Sequence, residues 1–366
     1  MAKITSITKQ RLFALLRLAL IGGDYSRPLF DRMSDSKWQD LYNAALEQGV
    51  LAFAYDGIRK LDEQYQPELE IKVQWAYNVS HIEKISAKQL SSANKLVNFL
   101  AKQNIKTMIL KGLSFASIYP EPTHRQSGDI DIYLMGEYAK GNEEVKKMGI
   151  DVRYDYFVHS EFVVEGINVE NHLYFVNPFV NRCGEYVQKA LLTMVDNYSN
   201  HPIVTGALIP SAEFSALFLA RHSCWHYARE CIKLRDICDW GMLLNHYRDS
   251  LDCQTLLTHL ENSGLTRYAS ILTTIAEQIL GVKLPLEFPD RYAELSERVL
   301  DDILSYDDEP KHTQMGFLRA FMLKTRNRFA RKWCYDKVVP DSYWGNIWYS
   351  IKGYITNPRA IKKAKL

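Results

Sequence analysis

Apolar positions divide the chain into a helical beginning, an alternating middle and a helical end. Leu12, Leu15, Leu16, Leu18 and Leu20 lie on a first amphipathic helix that Gly22-Gly23 stops. A second helix is predicted from about Ser36 through Trp38, Leu41 and Ala45, with Gly49 ending or bending it and residues 51–58 following. Between Pro67 and Gln103 no Gly or Pro interrupts the polar–apolar pattern, which predicts one long helix or two abutting ones. The period changes at Asn104. Residues 105–110 form a predicted short strand, and Lys111-Gly112-Leu113-Ser114 turns into a short helix closed by Pro120. Pro122 and His124 lie in a loop, residues 129–132 are a strand, and a helix is predicted around 142–148. Residues 159–164 and 167–173 alternate as two strands joined by the two-residue turn Glu165-Gly166. After Pro210 helical spacing returns in 214–227 and 232–247, with further helices to about residue 330. The predicted fold class is α+β: a small mixed β-sheet with helices on one face, flanked by helical N- and C-terminal regions. The boundaries are drawn at 1–104, 105–207 and 208–366.

Composition changes this picture little and charge changes it locally. A hydrophobic share of 47% and a charged share of 24% are those of an ordinary globular chain, and 366 residues suffice for two or three domains. Six cysteines without a Cys-x-x-Cys pair do not make a secreted disulfide framework in a chain this long. The apolar stretch 12–21 is broken by Arg17 and followed by no small-residue cleavage site, so it is an amphipathic helix rather than a signal peptide. No run reaches the ~18 apolar residues of a membrane span. A reducing, cytoplasmic compartment is the expectation. Net charge is +2, but residues 311–366 carry 13 Lys and Arg against 2 acids, a balance of +11 that leaves −9 for the rest.

The chemistry concentrates in Gly128-Asp129-Ile130-Asp131-Ile132. In a strand, Asp129 and Asp131 project from one face while Ile130 and Ile132 project from the other. Two adjacent carboxylates repel unless a cation sits between them. An exposed edge strand is the bland alternative, and a Mg²⁺ site is the functional one. Upstream, the glycine at a strand-to-helix turn in Lys111-Gly112-Leu113-Ser114 lets backbone approach a phosphate, although many turns contain Gly and Ser. Downstream, the Glu165-Gly166 turn sets a register pairing Val164 with Ile167, Glu161 with Glu170 and His159 with His172, all four polar side chains on one face.

In this order the motifs resemble the polymerase β-type nucleotidyltransferase superfamily. More narrowly, Leu110-Lys111-Gly112, Tyr119-Pro120, Arg125, Gly128-Asp129-Ile130-Asp131 and Val169-Glu170-Asn171-His172 resemble a bacterial family described only as uncharacterised nucleotidyltransferases. The likeness is sharpest over 105–175 and looser over the helical flanks and Pro358-Arg359. Gly112-Leu113-Ser114 departs from the superfamily's adjacent Gly-Ser. The resemblance implies an NTP substrate, transfer of a nucleoside monophosphate to a hydroxyl, and Mg²⁺, as two ions, with Mn²⁺ as a substitute. Asp129, Asp131 and Glu170 would be the metal ligands and catalytic carboxylates. Lys111, Gly112, Ser114 and Arg125 would bind the nucleotide. His159, Glu161 and His172 would orient a carboxylate or meet the acceptor, with Glu161 competing with Glu170 as third acid. A catalytically inactive nucleotide-binding or scaffolding protein of the same fold is the alternative.

Other signals carry less. His222 and His226 share a helical face at metal-binding spacing, but no acid or cysteine completes a zinc set, and a helix packed over the nucleotide site is the favoured reading. Cys224, Cys231 and Cys238 read as core. Arg235 is expected to pair with Asp239 at i, i+4 in preference to a phosphate. The basic tail interleaves Lys and Arg with aromatics such as Trp333, Trp344, Trp348, Tyr349 and Tyr354, a pattern that binds nucleic acid. Helical spacing of Phe317, Phe321, Met322 and Phe329, and of Trp344, Ile347, Trp348 and Ile351, makes core faces the favoured reading. A small-molecule or protein acceptor is preferred over nucleic acid.

Overall fold

The computed structural model describes residues 4–154, 158–306 and 329–348. Its helices begin with α1 (Ser6–Ile21), α2 (Asp35–Glu47), α3 (Leu51–Lys60) and α4 (Leu69–Lys102). Thr5 caps α1 by accepting from the Thr8 N–H at 3.2 Å, and Gly22 ends it in the left-handed conformation. The uninterrupted stretch after Pro67 is the single 34-residue α4, about 50 Å long at the usual rise. Its first half buries Trp75 against Tyr42 of α2. Its second half turns Ala93, Leu96, Val97 and Leu100 onto the sheet.

That sheet contains β1 (Met108–Ile109), β2 (Asp129–Tyr133), β3 (Arg153–Tyr154), β4 (His159–Val164), β5 (Ile167–His172), β6 (Tyr198–Asn200) and β7 (Leu208–Pro210). Their spatial order is β3-β4-β5-β2-β1-β7-β6. The β2–β5 and β1–β7 pairs are parallel and the others antiparallel, so the sheet is mixed as expected. Between the strands lie α5 (Leu113–Ala116), α6 (Tyr138–Lys147) and α7 (Arg182–Met194). The C-terminal helices are α8 (Ala212–Glu230), α9 (Leu234–His246), α10 (Cys253–Ser263), α11 (Thr266–Leu280), α12 (Ala293–Ser305) and α13 (Lys332–Lys337).

Alternation along β1 and β2 feeds the two faces of the sheet into two different cores. Ile109, Ile130, Ile132, Phe162, Val164, Ile167 and Val169 join α4 in a small core. Met108, Leu110 and Leu208 face the other way into a larger one. This larger core also unites the chain's two helical ends. Leu12 and Leu15 of α1 share it with Ile237 and Trp240 of α9 and Ile271 and Ile275 of α11. The α1–α3 crossing is so close that a Cβ on Gly57 would lie 2.3 Å from the Leu15 carbonyl oxygen. Among the described residues no helix is long and apolar enough to cross a membrane.

His124 pins the loop before β2 to both α3 and α4. Its Nδ1 donates to Asp56 at 2.6 Å and its Nε2 to Glu83 at 3.1 Å, so the imidazolium is the form that satisfies both. Burial favours the neutral ring, but the two carboxylates outweigh it and raise the His124 pKa. A pKa raised in the fold contributes stability fully below the unfolded value, and that stability is lost as pH rises through the folded value. His124→Gln is therefore expected to cost about 1–3 kcal/mol at about pH 6 and progressively less toward about pH 9. Urea unfolding of both proteins across that range checks it; a constant difference would contradict it.

Candidate functional site

β2, β5 and β4 place the polar residues in rows. Asp131 stands opposite Glu170, and Glu170 opposite Glu161. His172 stands opposite His159, and Asp129 opposite Asn168. The hairpin register is the one the Glu165-Gly166 turn implies, with Glu165 and Gly166 both at positive φ. Period-two alternation then sends Asp129, Asp131, Glu170, His172, His159 and Glu161 to the face opposite Ile130, Ile132 and Val169.

Gly112 aims a cation at this face. Leu110 donates its N–H to the Asp131 carbonyl at 3.0 Å, which fixes the end of β1 beside the acid. The chain then turns at Gly112, with φ +64°. A Cβ there would lie 2.7 Å from Ser127 Oγ and 3.3 Å from the Asp129 carbonyl oxygen, so both conformation and space call for glycine. Ser114 follows in α5, buried, and donates its N–H to the Lys111 carbonyl at 3.3 Å. Lys111 Nζ reaches Asp131 Oδ1 at 3.1 Å and Asp129 Oδ2 at 4.0 Å. It also approaches His222 Nε2 of α8 at 3.4 Å. Burial and the nearby Lys111 charge push the His222 pKa well down, so the ring is neutral and accepts from the ammonium.

Electrostatics separates the acids. Asp131 is fully buried, which opposes ionisation, yet Lys111 and a hydrogen bond from His172 Nε2 at 3.1 Å hold its pKa at about 2. Glu170 goes the other way, raised to about 7 by burial and by the charges of Asp131 and Asp129. Lys111 is held above its ordinary value, because Asp131, Asp129 and Glu170 together outweigh burial. Asp129, Asp131 and Glu170 each offer an oxygen within 4.8 Å of the others. Asp131 Oδ2 is buried with no hydrogen-bond partner, a lone pair left for a ligand. An all-oxygen, three-carboxylate set with one such atom fits Mg²⁺. Glu161 faces Glu170 but joins neither metal-capable group found among the described residues.

Arg125 is placed differently from the expectation. It is buried in a bidentate pair with Asp239 of α9, Nε at 3.2 Å from Oδ1 and Nη2 at 2.6 Å from Oδ2. Tyr119 donates its hydroxyl to the same Asp239 Oδ1 at 2.8 Å. The Arg235–Asp239 pair is accordingly corrected: Asp239 is taken by Arg125, and Arg235 donates instead to the Gln126 carbonyl at 3.3 Å and to Asp236 at 3.4 Å. His226 turns to Glu230 at 2.6 Å, and no metal-capable group among the described residues includes His222 or His226. The three α8–α9 cysteines are buried, as expected. His222 as the partner of Lys111 and Asp239 as the partner of Arg125 carry no local sequence signal. The two pairs are separated by 111 and 114 residues.

Most of the basic tail, including Phe317, Phe321, Met322, Tyr349, Ile351, Tyr354 and Pro358-Arg359, lies outside the described residues. Of its described aromatics, Phe329, Trp344 and Trp348 are exposed, so these three are not core positions. Arg221 of α8 forms a buried pair with Asp341 at 2.9 Å and so anchors the described C-terminal segment.

A family model described as uncharacterised nucleotidyltransferase matches residues 34–281, well over half of the chain. No curated protein and no solved structure matches it.

Proposed function

This chain belongs to the uncharacterised nucleotidyltransferase family, and we propose that it moves a nucleoside monophosphate from an NTP to a hydroxyl of a small molecule or a protein, with pyrophosphate as the leaving group. The observation that carries the reading is the convergence of Asp129, Asp131 and Glu170 beside the Lys111-Gly112 turn. Mg²⁺, or Mn²⁺ in its place, would be held by these three carboxylates and would supply charge neutralisation at the phosphates and an acidified acceptor hydroxyl. Asp131, ionised at any working pH, is the fixed negative anchor of the site. Glu170, raised by burial and by the charges of Asp131 and Asp129 while no cation is held, would be ionised beside the cation and so able to accept the proton the acceptor hydroxyl releases. Lys111 supplies a permanent positive charge on a flexible stem, in reach of the phosphates once a cation relieves it of Asp131. Gly112 and Ser114 line the turn that would receive the β- and γ-phosphates. Arg125 acts on the site indirectly, by holding the loop that leads into β2 against α9. The near-neutral total charge favours a small-molecule or protein acceptor over nucleic acid.

The Lys111–Asp131 ion pair also supports the second reading, a nucleotide-binding protein without transfer activity, because an ammonium already neutralises the acids. One labelling experiment separates the two. Lysate is incubated with Mg²⁺ and each NTP, labelled in parallel at the α- and at the γ-phosphate. Nucleotidyl transfer marks an acceptor from the α-label alone, and Asp131→Ala abolishes the mark. Equal marking by wild type and Asp131→Ala would remove the proposal, as would marking from the γ-label.

A further inference from the structure

Nitrogen donors stand beside the oxygen donors, and the function proposed above leaves them unused. His159, Glu170 and His172 each present one ligating atom, all within 4.8 Å of one another. The set shares Glu170 with the Asp129–Asp131 group. Its geometry is fixed by the backbone, because His159 and His172 are cross-strand partners with ring centroids 5.4 Å apart.

His172 is buried and its tautomer is constrained. Nδ1 lies 3.1 Å from the Tyr174 carbonyl, which can only accept, so Nδ1 carries a proton. Nε2 is the atom turned toward the acids, 3.1 Å from Asp131 Oδ1, to which it donates while no cation is held, and 3.7 Å from Glu170 Oε2; a cation bound there would take the place of that proton. A backbone carbonyl holding the far ring nitrogen is the support that orients metal-bound imidazoles. From β4, His159 brings its Nε2 to 3.7 Å from Glu170 Oε1 and to 3.7 Å from Glu161 Oε1. The two oxygens of Glu170 thus face two different imidazoles.

We propose that His159, Glu170 and His172 form a second cation site, for a divalent transition ion of the Mn²⁺ to Zn²⁺ range, abutting the all-oxygen Mg²⁺ site through Glu170. Imidazole nitrogen discriminates against Mg²⁺ and in favour of these ions. Two histidines and a glutamate are three protein ligands, which leave coordination positions open as catalytic zinc sites do. The role of the second ion rests on the nucleotidyl-transfer reading; the site itself does not.

The test uses the full chain without nucleotide and Co²⁺ as a visible probe. Dialysis against Co²⁺ in excess Mg²⁺ is expected to leave one Co²⁺ per chain with imidazole-ligated absorption bands. His159→Ala and His172→Ala should each weaken Co²⁺ binding by about 10- to 100-fold or more, whereas His246→Ala on α9, a histidine in neither donor set, should hold it within about threefold. Co²⁺ displaced by Mg²⁺, or retained unchanged by His159→Ala, would overturn the proposal. X-ray absorption of the zinc-loaded wild type asks the same question without a substitution: two imidazoles in the shell support it and an all-oxygen shell refutes it. Loss of Mg²⁺-dependent transfer with Co²⁺ binding intact would instead count against the function and leave the site standing.

Discussion

Asp131→Asn is expected to lower nucleotidyl transfer by about 10²- to 10³-fold, the cost of removing one aligned charge from a buried reaction centre. Asparagine keeps the shape and removes the charge. Asp131 is the acid least able to be replaced by solvent: it is fully buried, held at about 2, and has one oxygen committed to Lys111 and His172 and the other without a partner. Its loss leaves Lys111 buried with Asp129 at 4.0 Å as the nearer remaining carboxylate of the pair, so stability should also fall, by about 1–3 kcal/mol. Glu170→Gln should match the kinetic loss, and Glu161→Gln should stay within about threefold of wild type, because Glu161 lies outside the converging oxygens. Steady-state kinetics with calorimetric Mg²⁺–NTP titration reads all three. An equal loss in Glu161→Gln and Glu170→Gln would transfer the third carboxylate to the outer strand or divide it between the two.

What the sequence makes legible here is local and periodic. The Asp129–Asp131 strand, the Glu165-Gly166 hairpin and the rows His159–His172 and Glu161–Glu170 follow from a two-residue period and one turn, and the structure has that register. The same holds for the uninterrupted α4 and for the stop at Gly22. The two edge strands, and β7 beside one of them, are different. Arg153–Tyr154 is two exposed residues, Tyr198–Asn200 is exposed throughout, and Leu208–Pro210 ends on a proline, so none of them carries alternation to detect. β3 and β6 each pair with the strand that follows them but are too short and polar to announce it, and β7 also pairs with Met108 of β1, far back in the chain. Long-range ion pairs escape for the same reason. Lys111 and Arg125 both read as phosphate ligands because they flank an acidic motif. Only the fold reveals that one already touches Asp131 and the other is enclosed with Asp239. Spacing likewise suggested an Arg235–Asp239 pair within α9, where a buried guanidinium from another element wins the carboxylate.

Arg125→Met is expected to destabilise the protein by about 3–5 kcal/mol, because it leaves the buried Asp239 charge without its partner. Asp239 is 1% exposed and Arg125 6%, so water cannot replace either. Both guanidinium bonds and the Tyr119 hydroxyl converge on the one carboxylate, and Tyr119 is itself stacked on Phe53 of α3 at 4.8 Å. The pair therefore links the loop before β2, helix α3 and helix α9 at one point. Against a typical total of about 5–15 kcal/mol, the loss would remove a large part of the folding free energy. Asp239→Leu should cost a similar amount, through the stranded arginine. The double variant Arg125→Met/Asp239→Leu should recover much of it, since two apolar groups of matching volume replace two desolvated charges. Guanidinium unfolding of the four proteins at constant m value measures the cycle. The outcome also decides what Arg125 is for. A phosphate ligand would show a raised KM for NTP with little change in unfolding midpoint, whereas a brace shows the midpoint shift and, in the double variant, a near-normal KM.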